Sequence, residues 1–136
     1  MSKRVVWILL GTISMVFGLA LYLLFRPYSY IAIALKNVPY IDILQKWASN
    51  YDCAFLRFYL GDFLWGFGLG CTLRAIDKFN KLGRIGVLCI VFLFGTLWEV
   101  LQLLGFIRGT GDVLDVVMYF IAGMGVIIID IKERSF

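Results

Sequence analysis

The sequence predicts an all-α membrane protein: a four-transmembrane-helix bundle, N-in and C-in, with an amphipathic outer loop between helices one and two. Three observations predict it. Hydrophobic residues make up 62% of the 136 and charged residues only 16%, with a mean hydropathy of +0.90, whereas soluble domains run near half apolar and a quarter charged. Such a chain has too little polar surface to cover a soluble core. Four apolar segments approach the ~20 residues that cross a hydrocarbon core of ~30 Å, and the basic residues sort with the loops between them. The whole chain, residues 1–136, reads as a single membrane domain.

The first span covers residues 5–25, preceded by Lys3 and Arg4. Its start resembles a signal peptide, but no small-x-small cleavage site follows before Arg26 and Pro27, so it reads as a retained span. The second span, about 58–73, is short and interrupted by Asp62; the third covers 85–106 and the fourth 113–131. Placing the N-terminus inside puts Lys3, Arg4, Arg74, Lys78, Lys81, Arg84, Lys132 and Arg134 in the cytoplasm. Arg26, Lys36, Lys46, Arg57 and Arg108 fall outside, mostly in one long loop where single charges bias insertion weakly. Within that outer loop, residues 26–57, the stretches 31–35 and 40–48 alternate at helical spacing, and Val38–Pro39 should separate them. They read as amphipathic helices at the outer interface, with Tyr28, Tyr30, Tyr40, Trp47 and Tyr51 as anchors, or as a lid over a substrate.

Composition also excludes chemistry. The chain contains no histidine, which removes His-based triads, most zinc sites and the usual near-neutral acid–base group. Cys53, Cys71 and Cys89 show no C-x-x-C spacing, and for Cys71 and Cys89, in apolar runs, a small buried thiol is the ordinary reading. No cofactor is called for. The net charge of +4 comes with no basic stripe interleaved with aromatics, so it reports orientation in a membrane and not nucleic acid.

The polar residues inside the spans carry the functional expectation, because an ionised carboxylate within a bilayer is costly unless something pairs with it. Glu99 and Gln102 lie three apart on one side of the third span; Asp112, Asp115 and Tyr119 share a face at the start of the fourth; Asp62 lies about one turn into the second. Given the proposed topology, all belong to the outer half of the membrane. Gly66 and Gly70 make a small-xxx-small pattern that allows close helix approach. A structural reading stands beside the functional one: Asp112 fits an N-cap with Asp115 completing a capping box, Asp62 pairs with Arg57 or Arg108, and Trp65 and Trp98 pack. Glu99, with no basic residue one turn away, is the residue least explained by that structural reading.

As a pocket, Arg57, Asp62, Glu99, Gln102, Arg108, Asp112, Asp115 and Tyr119 form the expected ligand-binding set. The arginines suit phosphate or carboxylate, and the clustered acids suit ammonium groups, a divalent cation or hydroxyls. The spacing of Glu99, Asp112 and Asp115 matches no metal signature, and no metal site is expected.

Glu99, Gln102, Arg108, Asp112, Asp115 and Gly123, with GDFLWGF at 61–67 upstream, resemble the pattern of the VanZ-like family over residues 57–130. That resemblance implies a small integral membrane protein of about four spans. The family's named member is associated with resistance to the glycopeptide teicoplanin, and the family supplies no defined biochemical activity. Three functions follow as expectations. One is a cell-envelope protein holding the headgroup of a membrane lipid or a lipid-linked cell-wall precursor, with a bearing on glycopeptide sensitivity. A second is a membrane enzyme on a lipid-linked substrate, with Glu99 or Asp115 as general base. The third is a structural subunit whose acids meet a protein partner's basic residues in the membrane.

Overall fold

In the computed structural model the described residues are all but 1, 27, 52, 78–80 and 136, with backbone alone for 134 and 135. Among them the secondary structure is helical throughout. α1 (Lys3–Phe25), α5 (Gly83–Leu103) and α6 (Val113–Ser135) are each long and apolar enough to cross a membrane. α4 (Leu60–Ile76) has 17 residues and is entered through a π-helical turn, Phe55–Tyr59. Lys78 and the Arg134 side chain, two of the basic groups assigned to the inner face, lie outside the described residues.

Outward-facing apolar side chains are exposed along the long helices, Phe17 at 62% and Leu93 at 64% among them, the pattern expected of surfaces that meet lipid instead of water. α1 packs on α4, α4 on α6, and α6 on α5, with a lighter contact between α4 and α5. α1 and α5 make no comparable contact with each other. A core of Trp7, Cys71, Ala75, Val87, Val91, Tyr119 and Val126 fills the seams. The expected small-residue face of α4 is the one that meets α6: a Cβ on Gly66 would lie 2.9 Å from the Tyr119 ring, and one on Gly70 would lie 2.8 Å from Val126.

One end of the bundle is clasped by ions. Asp130 of α6 accepts from Arg74 Nη2 of α4 at 2.6 Å and from Arg84 Nε of α5 at 2.7 Å. Arg4 Nε reaches the Ala75 carbonyl at 2.9 Å, drawing α1 to the same end. Two arginines on one buried carboxylate satisfy both of its oxygens, the condition under which a buried charge is tolerated.

The third apolar run stops as a helix at Leu103, short of the expected residue 106. Gly105 takes a left-handed φ of +75°, the Phe106 amide donates to the Leu101 carbonyl and the Gly105 amide to that of Gln102. This is a Schellman stop, which glycine permits and hydropathy does not report. In the connection between α1 and α4, α2 (Tyr30–Ala34) and α3 (Ile41–Ala48) form where the spacing indicates, separated at Val38–Pro39 with Tyr40 at φ +73°. Ala32, Ile41 and Ala48 are buried, and Gln45 Nε2 donates to the Leu23 carbonyl of α1 at 2.8 Å.

Candidate functional site

At the end opposite Asp130 the helices part. A cavity of about 1090 Å³ occupies the gap between α1 and α5, with α4 and α6 behind it. Trp65 and Leu69 of α4 and Asp115 and Tyr119 of α6 line it between Met15 and Tyr22 on one side and Phe94 and Trp98 on the other. Tyr28, Ser29, Tyr30 and Ile31 of the connection between α1 and α4 also line it. Tyr30 spans to the opposite side, where its hydroxyl accepts from the Arg108 amide at 3.2 Å and its ring lies 5.5 Å from the Arg108 guanidinium. The α1–α4 connection thereby touches the connection between α5 and α6.

Of the eight expected site residues, Arg57, Gln102, Arg108, Asp112, Asp115 and Tyr119 line this cavity. Asp62 and Glu99 stand behind its wall, buried, and hold it in shape. The Tyr22 hydroxyl donates to Asp62 Oδ1 at 2.6 Å, and Arg26 Nη2 donates to Oδ2 at 3.2 Å. The partner of Asp62 is therefore Arg26, not the expected Arg57 or Arg108. Arg26 succeeds because it ends α1, the helix packed on α4, and it also donates to the carbonyls of Arg57 and Phe58 at 2.7 Å each. Tyr22 and Arg26 are the functional positions that the sequence reading missed. Their signal was present: a tyrosine and an arginine four apart occupy one helix face at a span terminus.

Glu99 answers the question that its burial posed. Its Oε2 accepts from the backbone amide of Asp112 at 3.0 Å. Asp112 Oδ1 in turn accepts from the Leu114 amide at 3.0 Å, as an N-cap should. In a capping box the residue at N3, here Asp115, would return to the N-cap amide. That amide is already claimed by Glu99 from the neighbouring helix. Asp115 is consequently released from the cap. Its residue is 6% exposed, it lines the cavity, and its Oδ1 is buried without a hydrogen-bond partner.

The loop that carries this arrangement depends on glycine beside the site: Gly109, with φ +146°, passes so close to Gln102 that a Cβ would lie 2.6 Å from its amide, and one on Gly111 would lie 2.6 Å from the Glu99 carbonyl. Among the described residues no group of three or more Asp, Glu or Cys is placed to hold a metal ion. Of the two general-base candidates, Asp115 alone reaches the cavity. Comparison with protein-family models, with curated proteins and with solved structures finds no match.

Proposed function

We propose that the chain is a multi-pass protein of the cell envelope, VanZ-like in organisation, whose cavity binds the headgroup of a membrane lipid or lipid-linked precursor. In this reading α4, lengthened by its π-helical turn, is a fourth span, both termini are cytoplasmic, and the Glu99 end faces the outer leaflet. The compact basic connection between α4 and α5 supports that orientation. The observation that carries the binding reading is Asp115: a buried carboxylate oxygen without a partner, facing a cavity of about 1090 Å³ that is polar at one end and apolar at the other. Ligand sites characteristically combine apolar walls with a few convergent polar groups. Arg57 and Arg108 also line it and suit a phosphate.

The test is native mass spectrometry of the full chain extracted from membranes in mild detergent. A lipid retained one per chain is the expected result. Bare polypeptide, with no uptake when phospholipid is added back, would sink the reading.

A further inference from the structure

Resting on the headgroup-binding reading, the charges and shape of the cavity narrow its occupant. Asp62, Glu99 and Asp112 all lie within electrostatic range of Asp115, with Arg26 as the one cation among the described residues that also reaches it. Asp62 has Arg26 and Tyr22, Glu99 has the Asp112 amide, and Asp112 has the Leu114 amide. Asp115 Oδ1 is the group left over. A hydroxyl would give it a hydrogen bond but add no positive charge, leaving Arg26, already paired with Asp62, as that one cation among four acids. A cation bearing N–H donors supplies both, the attraction being stronger where water is excluded and the hydrogen bonds helping to offset desolvation.

The rest of the cavity fixes what the cation must be attached to. Arg108 stands on the rim, its guanidinium over Tyr30 and in no ion pair among the described residues. From Gln102 down to Phe94 the wall on α5 descends about 12 Å at helical rise, and Met15, Leu69 and Phe94 are apolar. That depth and lining suit an alkyl chain lying in the gap between α1 and α5.

We propose that the occupant is a zwitterionic amphiphile, a phospholipid-like molecule with a primary ammonium at Asp115, a phosphate at Arg108 and one chain along Met15, Leu69 and Phe94. A headgroup carrying phosphate alone would bring further negative charge beside Asp115 and is disfavoured.

The test uses the full chain in detergent with three lipids of identical acyl chains: phosphatidylethanolamine, its N-acetyl derivative and phosphatidylglycerol. Native mass spectrometry should show phosphatidylethanolamine retained about tenfold over the other two. Equal retention of all three would overturn the ammonium assignment while leaving headgroup binding intact; retention of none would overturn both readings. Asp115→Asn should erase the preference without weakening phosphatidylglycerol, whereas a merely misfolded variant would lose all three. A preference that survives Asp115→Asn overturns the proposal, and retention of phosphatidylethanolamine unchanged by Arg108→Ala overturns its phosphate half. Free ethanolamine phosphate at the lipid's own concentration should displace nothing; if it competes, the chain-binding half falls.

Discussion

Glu99 shows how a residue's role depends on which donor it meets. An acid in a long apolar helix invites a catalytic reading, yet its Oε2 is spent on the Asp112 amide, a bond that fixes the start of α6 against the end of α5. The hydrogen bond, and not the charge, is what this arrangement requires. Glu99→Gln should therefore keep an acceptor in place and change stability by under about 1 kcal/mol. Glu99→Ala should cost about 2–3 kcal/mol by leaving a half-buried amide without its acceptor and a void behind it. Thermal melts in detergent distinguish the two, and equal losses would show that the charge was the essential element. The site was partly legible at this scale. Polar residues in an apolar run mark themselves, so Glu99, Gln102, Asp112 and Asp115 stood out. Tyr22 and Arg26 did not, because an arginine at a span's end resembles any interfacial charge until its neighbouring helix is known.

The helices meet through small residues, and the spacing of Gly66 and Gly70 announced one such face on α4. The counterpart on α5 is Gly95, where a Cβ would come within 3 Å of the Tyr119 side chain. Because Tyr119 also lies close against Gly66 of α4 and is buried, it has little room to yield. Gly95→Ala should cost about 1–3 kcal/mol through overpacking. Gly86, on the same helix, faces only ordinary contact, its nearest neighbour being Leu82 Cβ at 3.6 Å. Gly86→Ala should gain up to about 1 kcal/mol from helix propensity. Opposite signs in melting temperature are the expected outcome; a loss at both positions would mean that close packing is not what sets Gly95 apart. Helix ends were less legible than helix middles. Hydropathy carried the third span to residue 106, while Gly105 and its Schellman bonds ended α5 at Leu103.

Across the whole molecule the two ends are built oppositely. At one, Asp130 gathers Arg74 and Arg84 and closes the bundle; at the other, α1 and α5 stand apart around the cavity. With the four-span, N-in orientation, Cys53, which is exposed in the outer loop, should react with a membrane-impermeant maleimide on intact cells. In a Cys53→Ala, Cys71→Ala, Cys89→Ala background, a cysteine placed by Ser2→Cys should react only after permeabilisation. Labelling of the Ser2→Cys variant on intact cells, or of Cys53 only in permeabilised ones, would refute that topology.

The sequence by itself determined the helical, membrane-suited character of the chain, the position of each long helix and the convergence of polar residues toward one end. Those follow from hydropathy and 3.6-residue periodicity, which are local properties. Only the tertiary structure decided that Arg26 serves Asp62, that Glu99 serves the Asp112 amide, and that Asp115 is thereby the carboxylate left facing the cavity. Pairing of buried charges depends on which helices are neighbours and on which donor each acid reaches, and no periodicity along the chain encodes either.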